Sequence, residues 1–343
     1  MTKIMLDSGA FTVWTKGARI DLDSYIEFCL AHPQVDVYIN LDVIPGSPKV
    51  SKPPTPQEVD DCAKETWKNY LKMIRRLPIE KVMGVYHQGE SMKWLERYLD
   101  FKAPYVGLGN VAMAMEENRL AWFRSVRSML MGSDGKAVTK LHGLGVTSFR
   151  SMKAMPWYSV DSASWIRSAS YGTVYVPMMR KGEPQYDVSP FLLNVSPKSP
   201  SVDDWGKHIT TLSPTLRKQV LDYFATLKMP LGSFEEVAVP KGYKRQSGEY
   251  WTDKTKTKIY RTVVMGLSTD HHRRFWTNAR FIRRANEVLP IVDIYFAGAP
   301  GSTTVKVEDS LGRRLFSYHD VSKESTKSYR TFCRHIELKG VAA

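Results

Sequence analysis

Residues 81–109, KVMGVYHQGESMKWLERYLDFKAPYVGLG, hold a strand, a helix and a second strand within one supersecondary unit. Lys81–His87 is short and rich in Val and Tyr. Glu90–Leu99 places its apolar residues at helical spacing, and Tyr105–Leu108 is apolar again. Two strands joined through a crossover helix pair in parallel. The same alternation runs outward on both sides. Lys3–Asp7, Asp36–Asp42, Lys140–Leu144, Trp157–Asp161 and Thr173–Pro177 read as strands, with Leu22–Ala31, Pro56–Arg76 and Asn118–Met131 as helices between them. A further strand, Ile291–Ala297, comes late. Seven early strands and one late one predict an α/β fold, a (β/α)8 TIM-type barrel interrupted by an insertion. A doubly wound open sheet competes, but no Gly-rich phosphate turn follows the first strand. The predicted barrel comprises residues 1–200 and 285–343. The insertion, 201–284, opens on the linker-like NVSPKSPSVDDW and carries a helical pattern at Thr215–Leu227.

Polar residues gather at the strand ends. Asp7 opens DSGAF, Asp42 ends VYINLD, His87 and Gln88 sit in VYHQGE, glycines end VGLGN and HGLG, and Asp161 lies in SVDS. In a (β/α) barrel these ends open onto one face, where such folds keep their active sites. One aspartate at a strand end is commonly a helix cap, and Asp7–Ser8 fits that reading too. The functional reading rests on the ensemble.

That order of motifs, DSGAF, VYINLD, VYHQGE, VGLGN, HGLG and SVDS, resembles the tRNA-guanine transglycosylase superfamily over roughly the first 170 residues. The closer resemblance is to its phage-type members, which insert 7-deazaguanines into DNA. The resemblance implies a (β/α) barrel and base exchange through a covalent glycosyl-enzyme. It implies that Asp161 attacks the sugar C1′ and that Asp7 manages protons on the leaving and entering bases. Ser8 and Asp42 would bind the purine edge, and Gln88 or His87 the carbonyl side. Gly109 would let backbone approach the base, with Gly107 and Gly143 in the same glycine turns. Phe11 and His142 would sandwich the purine plane. A carboxylate suits the adjacent N1–H and 2-amino donors of guanine, and flat side chains stack on a base for about 1–3 kcal/mol. Zinc-binding members carry a Cys-rich motif after the nucleophile strand. This sequence has only Cys29, Cys62 and Cys333, far apart, so no metal or other cofactor is expected and the implied polymer shifts from tRNA towards DNA.

The formal net charge is +14, and residues 201–343 hold 24 Lys+Arg against 15 Asp+Glu. Such an excess suits a polyanionic partner, DNA first and RNA second, alongside the free 7-deazaguanine base. Arg167, Lys241, Lys244, Arg245, Lys254, Lys256 and Lys258 are the candidate phosphate contacts, interleaved with Tyr243, Tyr250, Trp251 and Tyr260. Trp157, Tyr158 and Trp165 flank the nucleophile, either as props for a flipped nucleotide or as core. His271–Arg274 reads as further basic surface, and RFIRRANEVL as a helix that packs on the barrel through Phe281, Ile282 and Leu289. The apolar run in MTKIMLDSGAF is short for a signal peptide and no stretch approaches membrane length, so a cytoplasmic protein is expected, in the host cytoplasm if phage-encoded. An RNA-directed enzyme of the same chemistry and a base-specific glycosidase are the alternatives.

Overall fold

The structure is a computed structural model that describes residues 4–16, 19–46, 52–109, 115–146, 148–199, 201–246 and 249–296, with the strands Val305–Glu308 and Arg314–Tyr318. The chain divides into two compact units. The first comprises Met1–Ser162, Leu289–Val305 and Asp309–Ala343, and the second Ala163–Val288 and Lys306–Glu308.

In the first unit the strands are β1 (Met5–Leu6), β2 (Val37–Ile39), β3 (Val82–His87), β4 (Tyr105–Gly109), β5 (Lys140–Gly143) and β6 (Ser159–Ser162). The helices are α1 (Ala10–Lys16), α2 (Leu22–Leu30), α3 (Pro56–Ile74), α4 (Met92–Asp100), α5 (Glu116–Leu130) and α6 (Phe149–Ala154). The six strands pair in sequence order, every pair parallel, and the late strand Asp293–Phe296 joins directly beside β6. The result is a near-closed parallel barrel, seven-stranded among the described residues, with helices as crossovers.

Local chemistry explains the pieces. Thr55 caps α3 in a reciprocal capping box with Glu58, and Pro56 opens the helix. Its buried face, Ala63, Thr66, Trp67, Tyr70 and Met73, recurs every three or four residues. Gly84 lets α4 close on β3, since a Cβ there would lie 2.3 Å from the ring of Tyr98. The inner face of the sheet follows strand alternation: Val37 and Ile39, Met83 and Val85, and Tyr105 form one apolar cluster, with Met5, Leu144 and Tyr158 against it.

The seventh predicted barrel strand is corrected. Thr173–Val176 (β7) belongs to the second unit, where it pairs antiparallel with Phe191–Asn194 (β10); Met178–Arg180 (β8) and Glu183–Gln185 (β9) form a hairpin between them. The main segment of the second unit runs from Ala163 to Val288. Thr173–Val176 has the β-branched composition of a barrel strand, and composition does not tell which neighbour a buried strand will find.

The rest of the second unit comprises α7 (Ser164–Ser170), α8 (Pro214–Thr226), α9 (His271–Val288) and a three-stranded antiparallel sheet. That sheet is built from Ser233–Ala238 (β11), Tyr250–Trp251 (β12) and Lys258–Val264 (β13). Val174, Val176, Leu193, Val220, Phe224 and Leu267 form a core of this unit between β7, β10 and α8. The helix α9 packs on α7 and β7. Asn278 ties them together, accepting from Tyr175 N at 2.7 Å and donating to the carbonyls of Trp165 and Thr173. Arg274 is buried, not basic surface. It donates to Ala169 O and Leu267 O at 2.7 Å each, and burial lowers its pKa to about 10. Phe281 and Leu289 are buried as expected, with Ile282 half-buried. Trp157 and Trp165 are core residues, 2% and 1% exposed, so neither props a nucleotide. Among the described residues no helix is long and apolar enough to cross a membrane.

Candidate active site

Parallel register puts polar side chains on the same face as the apolar filling, one step further along each strand. His87 follows Met83 and Val85 and stands opposite Gly109. His142 stands opposite Gly107 on one side and Ser159 on the other, and Asp161 follows Ser159 at the period of two. Asp7 and Asp42 come immediately after β1 and β2. The C-terminal mouth of the barrel thus collects them.

Asp7 sits where β1 turns into α1. Gly9 has a φ of 77°, a left-handed turn that glycine takes without strain. The Asp7 carboxyl accepts from the backbone N–H groups of Ser8 and Gly9, so it does close this turn. It is open to solvent at the mouth but hemmed by protein behind. This partial desolvation, with the charges of Asp42 and then Asp161, outweighs those two hydrogen bonds and lifts its pKa from 3.8 to about 6. Asp7 therefore feels the charge of both Asp42 and Asp161.

Asp42 is held by both neighbours. Ser8 Oγ donates to Oδ1 at 3.3 Å, and His87 Nε2 lies 3.0 Å from Oδ2. Its loop is clamped by α3: Asn40 Nδ2 donates to Thr66 O, Thr66 Oγ1 accepts from Val43 N, and Asn69 Nδ2 donates to Leu41 O. The far nitrogen of His87 meets Glu90 Oε1 at 2.7 Å. Burial alone would drive the imidazole neutral, but hydrogen bonds and charge from Asp42 and Glu90 prevail and raise its pKa to about 10. His87 is therefore an imidazolium between two carboxylates. Each oxygen of Asp42 keeps a further lone pair for an incoming donor.

Of His87 and Gln88, His87 carries its side chain into the cluster. Gln88 is half-buried in the following turn, its N–H donating to Gly109 O at 3.1 Å. Gly109 is glycine because of His87: a Cβ there would lie 2.8 Å from His87 Cδ2. Gly107 is closed in by Met83 and Leu144, and Gly143 by Val146, so packing already accounts for both.

Asp161 is 23% exposed at its side chain. Its Oδ1 accepts from Gly145 N at 2.7 Å and faces His142 Nε2 at 3.2 Å. Among the described residues no hydrogen bond engages Oδ2. His142 has no exposed surface, and its Nδ1 lies 2.6 Å from Ser159 Oγ. The ring is wholly enclosed by protein, with both nitrogens engaged by Ser159 and Asp161. Phe11 differs: it is 56% exposed on α1, with Trp14 5.9 Å away.

The sequence reading overlooked Glu90, Ser159 and Tyr105, whose hydroxyl meets Ser159 Oγ. Ser159 could have been found, two residues before Asp161 on the same strand face. Among the described residues no group of three or more His, Cys, Asp or Glu could hold a metal ion.

The candidate phosphate contacts lie in the second unit. Arg167 is exposed on α7, and Lys254 and Lys256 lie in the β12–β13 turn, which Asp253 closes by accepting from Thr255 and Thr257. Lys241, Lys244 and Arg245 are exposed in the preceding loop. Arg245 stacks 5.9 Å from the Trp251 ring and donates to Glu249 O. Buried Glu249 organises this loop, accepting from Tyr243 OH, Gln246 N and Arg261 Nε. Lys258 is exposed but already paired with Glu236 at 2.8 Å. Lys198, not foreseen, lies 3.4 Å from the centre of the Tyr250 ring, and its pKa is lowered by burial and by the charge of Arg245.

No family model matches this chain, and no curated protein matches it in sequence. The fold is a parallel, nearly closed barrel of the broad TIM type, an architecture consistent with glycosidase and transferase chemistry in general.

Proposed function

We propose that this protein exchanges guanine in DNA for a free 7-deazaguanine, such as 7-cyano-7-deazaguanine, through a glycosyl ester on Asp161. The observation that carries the reading is the meeting of Asp7, Asp42 and Asp161 at one barrel mouth, each in a different environment. A carboxyl whose pKa burial and neighbouring charge raise to about 6 suits a proton carrier, and a second carboxylate with one oxygen left open among the described residues suits a nucleophile.

In the first step Oδ2 of Asp161 bonds to C1′ as the C1′–N9 bond breaks, and its electron pair leaves with the base. Asp7, which titrates near 6, carries a proton for the departing guanine. The incoming base then loses its N9 proton to Asp7 and attacks C1′, and the ester electrons return to Asp161. Two inversions leave the sugar configuration unchanged. The free lone pairs of Asp42 suit N1–H and the 2-amino group, and Phe11 offers a stacking face. Because guanine can be protonated at N7 and a 7-deaza base cannot, exchange runs one way. The target base must leave its stack to reach such a recess. The basic loops of the second unit suit the polymer backbone.

The test offers double-stranded DNA, single-stranded DNA and tRNA with labelled 7-cyano-7-deazaguanine. Incorporation into DNA is expected. Incorporation into tRNA alone would move the proposal to RNA, abasic sites would make the protein a glycosidase, and folded protein inert on all three would remove the reading.

A further inference from the structure

A buried chain of hydrogen bonds runs behind Asp161. Tyr105 OH meets Ser159 Oγ, Ser159 Oγ lies 2.6 Å from His142 Nδ1, and His142 Nε2 lies 3.2 Å from Asp161 Oδ1. Tyr105, Ser159 and His142 are at most 1% exposed, so water does not share these bonds. They come from three adjacent strands, β4, β5 and β6, locked in register.

Proton counting fixes every direction. An ionised Asp161 only accepts, so Nε2 carries a hydrogen. If the imidazole is neutral, Nδ1 is bare and takes the single proton of Ser159. Ser159 Oγ then accepts from Tyr105, whose phenol burial holds well above its ordinary pKa, so it keeps its proton. Every donor has an acceptor. If His142 were an imidazolium, Nδ1–H would donate to Ser159 Oγ and the Ser159 proton would turn to the Tyr105 oxygen. The Tyr105 proton would then have no acceptor among the described residues, a cost that buried polar groups avoid.

We infer that Tyr105, Ser159 and His142 are positioning residues that lock His142 as the neutral Nε2–H tautomer and hold Asp161 by Oδ1, directing Oδ2 at the reacting carbon. A neutral donor orients the carboxylate without lending it a counter-charge, so the carboxylate keeps the nucleophilicity that an imidazolium partner would blunt. Asp161 and the relay thus invert the arrangement around Asp42, where His87 is charged and the carboxylate is a binding group. The kinetic part of this inference rests on the exchange reaction proposed above; the tautomer does not.

Histidine 15N NMR on the full chain reads the tautomer directly, with His142→Gln used for assignment. Protonated Nε2 and bare Nδ1 at neutral pH are expected, and Ser159→Ala should shift the Nδ1 resonance. An imidazolium, or an Nδ1–H tautomer, overturns the inference whether or not exchange is detected. In exchange assays His142→Leu should lose on the order of a hundredfold in kcat with little change in KM for the free base, the scale of a misplaced reacting group. His142→Gln, which restores a donor, should recover most of that loss. Ser159→Ala supplies a milder variant if His142→Leu does not fold. Full kcat in folded His142→Leu, or in Ser159→Ala if His142→Leu does not fold, would equally overturn the inference. Wild-type protein inert on every nucleic acid would instead remove the exchange reading and leave the tautomer result standing.

Discussion

Nε2 of His87 lies 3.0 Å from Oδ2 of Asp42, joining the end of the third barrel strand to the loop that follows the second. Glu90 completes the arrangement at 2.7 Å on the other nitrogen, with a side chain only 3% exposed. The folded protein therefore binds the His87 proton more tightly than an unfolded chain, whose imidazole titrates near 6.5. Stability from this group is complete below pH 6.5 and is lost as pH rises towards about 10. Urea midpoints of wild type and His87→Gln should differ most at pH 6 and converge at alkaline pH. A gap that does not change with pH would show that the histidine is not charged.

Asp7 has the opposite consequence. Its carboxyl holds a proton more tightly when folded, about 6 against 3.8, so the folded chain loses stability as pH rises through that window. Asp7→Asn should stabilise the fold above pH 6, by on the order of 1 kcal/mol, because burial and then the neighbouring charges disfavour the carboxylate while solvent at the mouth screens both. The same variant should lose exchange, as it can neither give nor take the base proton. Thermal scans at pH 4 and pH 7.5 test the first point, since the stabilisation should appear only at the higher pH.

Gly109→Ala should push a methyl group to within 2.8 Å of His87 Cδ2. Overpacking of this kind costs about 1–3 kcal/mol. Because the displaced group is the one holding Asp42, KM for the free base should rise more than kcat falls. A matching substitution at Gly89, which has open space around it but a φ of 102°, should cost backbone strain while leaving the Asp42–His87 bond intact.

Lys198 and Arg245 lie against the aromatic rings of Tyr250 and Trp251, and no carboxylate side chain pairs with either among the described residues. If they contact phosphates, replacing each by alanine should weaken oligonucleotide binding at every sequence and reduce the slope of log K against log salt by about 0.7–0.9. Lys258→Ala, which breaks an existing pair with Glu236, should change that slope less. Fluorescence anisotropy across a salt series distinguishes them.

The fold was legible where helical and strand periods alternated, as between Lys81 and Gly109. It was not legible at Thr173–Val176, where the same composition serves an antiparallel pair in the second unit. The residues of the mouth were legible because strand ends are marked by polar residues, and Asp7, Asp42, His87 and Asp161 all stand there. Their partners were harder to see. Glu90 and Ser159 act through another side chain, and a local sequence pattern does not reveal such support. The burial of His142 was not legible, because a histidine motif carries no sign of how deeply the ring will sit. The reading of Trp157 and Trp165 as core follows from their position beside strands, where aromatic rings fill space.

The central claim is that Asp161 forms a covalent bond to the nucleic acid. The most direct measurement incubates the protein with guanine-containing DNA in the absence of free base, denatures it, digests it and maps the adduct by mass spectrometry. A deoxyribosyl-linked oligonucleotide on the peptide carrying Asp161 is expected. It should vanish in Asp161→Asn, whose exchange rate should fall at least ~10³-fold, and discharge when 7-cyano-7-deazaguanine is added. Exchange that proceeds with no trapped adduct, or at full rate in Asp161→Asn, would contradict the account.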